Sequence, residues 1–347
     1  MDRILSTQRR VIRKYIMDGI GYTDTEGYVS DLIKTIVNKV VEEKGTDYIS
    51  SVLVTGSFGR GEPTFEITAE GVLMLKSDIE IALVYDKMVD KKRVLDMKER
   101  VENQFSEALE LMPFQKRRLV KAQNHNYAFV EPKYKTLFTY DVYNGSYTAW
   151  GEDYISKRSV KLEEVDIYEA KRIVANRIGE LICYHEHGNN VSEDDYRKQW
   201  KGKVLLAIVS AWLVCHGLYV SSYHGQYEQI IKARKEVEAY FGTAFIEEYQ
   251  KVFRFLRENG ESYNIKEENL RRYVSDIDRL FKEKNIKRSK VNCLSKVVRS
   301  WIKYLKTKSN YGLNFEDGIL QDLIDCYVEE SPKIYDVSKI WLKVLYY

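Results

Sequence analysis

Asp78 and Glu80 stand two residues apart in "KSDIEIALVY", a run whose other members, Ile79, Ile81, Leu83 and Val84, suit a buried strand. Strand alternation puts both carboxylates on one face, where they repel each other and resist burial unless a cation lies between them. Two oxygen ligands with room for substrate phosphates suit Mg²⁺, with Mn²⁺ as a substitute. The competing reading is a solvated acidic pair on a half-exposed strand. Twenty residues separate Asp78 from Ser57, which lies in "VLVTGSFGRGEPTF", a short β-branched run entering a Gly56-Ser57 turn and a short helix. Backbone N–H groups and a hydroxyl at such a turn make an anion site, although a Gly-Ser turn alone is as often structural. Arg60 could add charge to a bound phosphate or serve as a salt-bridge partner.

A site that holds two ions about 3.5 to 4 Å apart usually draws a third carboxylate from a neighbouring strand. Asp141, inside the aromatic and apolar run "LFTYDVY", is the candidate, with Glu131 as the alternative and Asp86 read as a turn residue. The set "GSFGRGE", "SDIEI" and a later strand Asp resembles the nucleotidyltransferase superfamily typified by DNA polymerase β, over residues 52 to about 145. The Asp-x-Glu form is similar to that of aminoglycoside nucleotidyltransferases. The resemblance implies that Gly56 and Ser57 contact the phosphates of a nucleoside triphosphate, ATP being favoured. It further implies that Asp78, Glu80 and Asp141 hold two Mg²⁺ ions, and that Asp141 takes the acceptor proton. A Lys from a following helical domain often reaches the phosphates in such proteins, which makes Lys201 and Lys203 candidates. One departure is the length between Ser57 and Asp78, where "FEITAEGVLMLK" reads as an inserted hairpin over residues 64–76 with Gly71 near its turn.

The elements that must position these residues are legible as changes of period. Apolar positions Leu32, Ile33, Ile36, Val37, Val40 and Val41 recur at helical spacing, and residues 1–48 read as two helices stopping at Gly45. Strands follow in "SSVLVTG" and "SDIEIALVY". Residues 86–112 return to helical spacing and are closed by Pro113. "NHNYAFV" and "KTLFTYDVY" read as two strands joined by "EPKY". From Glu163 the pattern is helical, with breaks at "HGNN", "HGLYVSSYHG", Gly242 and "ENGES". The fold class expected is α+β: a nucleotidyltransferase-type mixed sheet with flanking helices over 49–160, preceded by helices over 1–48 and followed by an all-helical domain over 161–347.

Composition narrows the function classes. With 347 residues and 44% apolar content the chain can bury a real core, and 55 Lys and Arg against 52 Asp and Glu argue against bulk coating of nucleic acid. Four scattered cysteines without a CxxC pair suggest neither a disulfide framework nor a zinc knuckle, and the charged first twenty residues show no leader, so a cytoplasmic location is expected. The apolar run Val204–Val220 reads as a helix buried in a bundle rather than a membrane span. Cys183, His185 and His187 in "CYHEHG" do not share one helical face. The basic segment 285–308 reads as a solvated face before it reads as a polyanion site. The activity expected is Mg²⁺-dependent transfer of a nucleoside monophosphate from an NTP to a hydroxyl of a small-molecule or sugar-containing acceptor. Transfer onto a protein, as in toxin and antitoxin pairs, and a catalytically silent nucleotide-binding scaffold are the alternatives.

Overall fold

The computed structural model describes residues 25–43, 49–67, 73–75, 77–85, 89–105, 109–115, 127–128, 136–156, 159–183, 193–257, 262–286 and 315–346. These residues form a mixed sheet with helices against it, followed by a run of helices. They fall into two compact units, one ending at Lys161 and the other beginning at Leu162.

In the first unit, α1 (Thr25–Glu42) carries the expected apolar stripe, with Ile33, Ile36, Val37 and Val40 buried. Strands β1 (Ile49–Val54) and β4 (Ile79–Tyr85) are antiparallel neighbours at the centre of a sheet ordered β6-β5-β4-β1-β7. Their apolar runs are continuous because both faces of a central strand are covered. On one face Ile79, Ile81, Leu83 and Tyr85 meet α1 and α3 (Lys91–Glu102), where Val94, Met97 and Val101 complete the core. The inserted segment is a hairpin as expected: β2 (Phe65–Ile67) pairs antiparallel with β3 (Leu73–Leu75), and the Phe65 ring meets Tyr28 of α1 edge-on, 6.2 Å between centroids.

Three segments differ from the sequence reading. The helical spacing over 86–112 ends at Glu102, and β5 (Leu109–Gln115) runs parallel to β4 with Pro113 inside it. Pro113 faces Leu83 of β4, and β6 (Tyr127–Ala128) pairs parallel with Phe114 and Gln115 of β5. The segment "LFTYDVY" is not a strand but a helix, α4 (Leu137–Asn144). Thr136 caps it by accepting the Thr139 N–H at 3.1 Å, and Leu137, Val142 and Tyr143 are buried on different sides of it. A cap and tertiary burial outweigh the strand propensity of the aromatic and β-branched side chains. The antiparallel edge strand β7 (Tyr147–Gly151), which the sequence did not signal, pairs with β1.

The second unit comprises α5 (Tyr168–Ile182), α6 (Glu193–Cys215), α7 (Tyr223–Lys232), α8 (Arg234–Phe241), α9 (Thr243–Arg257), α10 (Glu267–Glu283), α11 (Phe315–Val328) and α12 (Ile334–Tyr346). The apolar run of α6 is accounted for by burial on every side: Val204, Leu205, Ile208, Val209, Ala211, Trp212 and Leu213 are all enclosed. No described helix is long and apolar enough to cross a membrane. Gly242, at φ +85°, separates α8 from α9 as the sequence break suggested.

Candidate active site

β1 delivers the chain to Thr55, whose N–H donates to the Glu80 carbonyl at 3.0 Å and so ties the end of β1 to the start of β4. The next four residues, Gly56–Gly59, form the single turn α2. Thr55 occupies its N-cap position without a side-chain cap bond, so the cap consumes none of the first-turn N–H groups at Gly56, Ser57 and Phe58. Gly56 adopts φ +62°, which glycine reaches at little cost. A Cβ built there would lie 2.1 Å from Glu80 Oε2, 2.8 Å from Glu80 Cδ and 3.2 Å from Glu80 Cβ. The carboxylate of Glu80 therefore rests directly against the glycine of the Gly-Ser turn, in the space that a side chain would fill.

The far end of α2 is packed as tightly. A Cβ on Gly59 would meet the Gly145 carbonyl oxygen at 2.4 Å and the Val54 carbonyl oxygen at 2.7 Å. One on Gly145, the C-cap of α4, would meet Arg60 Cγ at 2.8 Å and the Asp141 carbonyl oxygen at 2.9 Å. These glycines let the main chains of α2 and α4 touch. Arg60 runs its stem over Gly145 and donates from Nε to Glu62 Oε2 at 3.4 Å, the two side chains being 11% and 7% exposed. Its charge is thus balanced within the turn by Glu62.

The structure brings Gly56, Ser57, Arg60 and Glu80 into one place. Asp78 precedes β4 by one residue, is exposed, and by alternation shares the face of Glu80, opposite the Ile79 and Ile81 core. Asp141 lies in the last turn of α4, the helix whose end abuts α2. It is not on a strand, so the reason for choosing it as the third carboxylate fails, although its segment does reach the site. Glu131 lies outside the described residues.

A carboxylate that the sequence reading missed stands closer in register. Glu110 of β5 pairs with Glu80 of β4 in the parallel ladder, and Leu109 and Leu111 on either side of it join the α1 and α3 core. Glu110 therefore lies on the Glu80 face, one strand spacing of about 4.8 Å away. Like charges directly opposite on neighbouring strands are unfavourable unless a positive charge offsets them. The available signal was a lone acid between two leucines in "LELMPF", hidden because Pro113 reads as a helix stop. Among the described residues no three His, Cys, Asp or Glu side chains are gathered closely enough to hold a metal by themselves. Asp78, Glu80 and Glu110 as a donor set fit a hard cation bound through one or two carboxylates with phosphate oxygens completing its shell.

The remaining candidates lie in the second unit or outside the described residues. Lys201 pairs with Glu267 Oε2 at 2.9 Å, and Lys203 Nζ sits 4.0 Å above the Trp200 ring. Burial acts to raise the Glu267 carboxyl, but its hydrogen bonds from Lys201 and Tyr327 prevail and hold it below its ordinary value. Cys183 is buried, while His185, His187 and the basic segment from 287 onward lie outside the described residues. No family model matches the chain, and a search of curated proteins finds no match.

Proposed function

We propose that this chain is a polymerase-β-type nucleotidyltransferase that moves a nucleoside monophosphate from an NTP, ATP by preference, to a hydroxyl of a small-molecule or sugar-containing acceptor, releasing pyrophosphate. The observation that carries this reading is the contact between the Gly56 backbone and the Glu80 carboxylate, which sets an uncapped turn of N–H donors beside a carboxylate. An anion site and a cation site in contact suit a metal-bound polyphosphate.

On this reading the N–H groups of Gly56 to Phe58 and the Ser57 hydroxyl bind the non-transferred phosphates, and Asp78, Glu80 and Glu110 would hold Mg²⁺. When bound, the metal neutralises charge that develops on the phosphoryl oxygens and the leaving pyrophosphate. The protein's own groups do little covalent work. They fix the triphosphate so that an acceptor oxygen attacks the α-phosphorus in line with the leaving oxygen, and one of these carboxylates takes the acceptor proton. Arg60, held by Glu62, serves this arrangement by securing the turn to α4.

The test is incubation with each labelled NTP, Mg²⁺ and a metabolite extract, followed by a search for a labelled product. Asp78→Asn, Glu80→Gln and Glu110→Gln are each expected to lower transfer by roughly two to three orders of magnitude, the scale of losing one preorganised electrostatic partner. Asp141→Asn separates the two candidates for the third carboxylate: transfer that survives E110Q and is lost in D141N would return the role to Asp141. Label recovered on protein would redirect the acceptor to a polypeptide. A folded wild-type chain that binds no NTP with Mg²⁺ would end the proposal.

A further inference from the structure

The inserted hairpin leaves the Gly-Ser turn and returns directly to Asp78, and the join is made by an unusual pair of bonds. Its ladder runs Ile67↔Leu73, Glu66↔Met74, Phe65↔Leu75, a register that would set Thr64 opposite position 76. The Thr64 main chain bonds to Ser77. Its N–H donates to Ser77 Oγ at 2.8 Å, and its carbonyl accepts the Ser77 N–H at 3.3 Å. The pairing has slipped by one residue at the base of the hairpin, as in a β-bulge, and a side-chain oxygen replaces the main-chain acceptor of a regular ladder. Such a slip resets which side chains face the site.

Asp78 depends on that join. The β4 ladder to β5 begins at Ile79↔Leu109 and the ladder to β1 only at Ile81↔Val54, so Asp78 lies one residue outside the sheet. Backbone bonds hold the chain beyond it, and the Thr64–Ser77 clasp holds the chain before it. Resting on the nucleotidyltransferase reading, we propose that Ser77 is a positioning residue: its hydroxyl, by clasping Thr64 out of hairpin register, sets the backbone from which Asp78 reaches the metal, and so couples the hairpin to the metal site.

The test compares Ser77→Ala, Ser77→Thr and Ser77→Val by Mn²⁺ titration with a non-hydrolysable ATP analogue, watched by electron paramagnetic resonance, and by binding of the analogue without metal. Thr and Val have the same shape and differ in the hydroxyl, so that pair decides the matter even if S77A folds poorly. S77V is expected to weaken Mn²⁺ binding about fivefold, the scale of one neutral hydrogen bond, while S77T stays within about twofold of wild type. Analogue binding without metal is expected to stay within about twofold in both variants, because the hydroxyl acts on Asp78 and not on the Gly-Ser turn. Wild-type protein that binds Mn²⁺ and analogue, with S77V and S77T indistinguishable, overturns the role of Ser77 and leaves the functional reading standing. Wild-type protein that binds neither overturns both.

Discussion

Gly56→Ala separates the two properties that the cradle asks of this residue, its φ of +62° and the absence of a Cβ where the Glu80 carboxylate lies. An L-residue in the left-handed region costs about 1–2 kcal/mol. Gly61 supplies the reference, since it sits at φ +71° with nothing within 4 Å of a built Cβ, so Gly61→Ala should cost that amount alone. At Gly56 the new methyl also meets Glu80. Glu80 Oε2 at 2.1 Å and Cδ at 2.8 Å must both be displaced from a side chain rooted in a central strand, which adds about 1–3 kcal/mol of overpacking, while Glu80 Cβ at 3.2 Å gives by a few tenths of an ångström. G56A should therefore lose roughly 2–5 kcal/mol in urea unfolding, against about 1–2 for G61A. A double-mutant cycle with Glu80→Ala isolates the contact: in the E80A background the penalty of G56A should fall by at least about 1 kcal/mol. G56A should also bind Mn²⁺ poorly even where it remains folded, because relief comes from moving the carboxylate. If G56A costs no more than G61A, or costs the same with and without Glu80, the carboxylate does not rest on the turn and the cradle argument is refuted.

Gly59→Ala should be the harsher change in this turn, at about 3 kcal/mol, because its Cβ would meet two main-chain carbonyls at 2.4 and 2.7 Å that cannot rotate away; the shift in urea midpoint measures it. Lys201→Met should lower stability by about 1–2 kcal/mol, discounted from the cost of a fully buried pair because the partners are 18% and 30% exposed, and should leave NTP affinity unchanged. Unchanged stability with weakened NTP binding would instead put Lys201 on the phosphates. Hydrogen bonds from the Ser156 hydroxyl and N–H, then from Thr148 and the Ile155 N–H, hold the Asp153 carboxyl down to about 2. A depressed native pKa gives stability that is present above the unfolded value near 4 and lost as pH falls towards 2. Asp153→Asn should accordingly lower Tm at neutral pH, and the gap from wild type should close across that window; a gap constant down to pH 2 would remove the carboxylate from the account.

Legibility in the sequence followed how local each signal was. The α1 stripe, the β1 and β4 runs and the inserted hairpin are set by neighbours a few residues apart, and each forms as its pattern indicates. Segment 137–144 went the other way because its strand-like side chains compete with a cap at Thr136 and with tertiary contacts that no local pattern encodes, among them the stacking of Phe138 on Phe114 of β5 at 6.3 Å. Pro113 misled for a related reason. A proline ends a helix on local grounds, but Pro113 lies in a strand because the segment pairs with β4, a distant partner that no local pattern encodes.

The same distinction explains which parts of the site could be read. Gly56, Ser57, Asp78 and Glu80 could be singled out as candidates because the turn and the alternation that define them are local. Which acid lies beside Glu80 depends on the strand next to β4, set by the parallel crossover through α3, so Glu110 became a candidate only with the register Glu80↔Glu110. Gly59 and Gly145 are equally non-local: a Cβ on Gly59 would lie 2.4 Å from the Gly145 carbonyl oxygen and one on Gly145 2.8 Å from Arg60 Cγ, and neither glycine looks unusual in its own stretch of sequence. Arg60 illustrates the converse, since its partner Glu62 is two residues away in "GRGE" and the pairing could have been inferred from spacing alone. With that charge balanced inside the turn, on the proposed reading the site would bind phosphate through the backbone N–H groups of Gly56 to Phe58, and a metal held by the carboxylates would strengthen that binding. Analogue affinity should therefore rise on adding Mn²⁺ in wild type and rise less in Glu80→Gln; equal affinity with and without the metal would remove the carboxylates from phosphate binding.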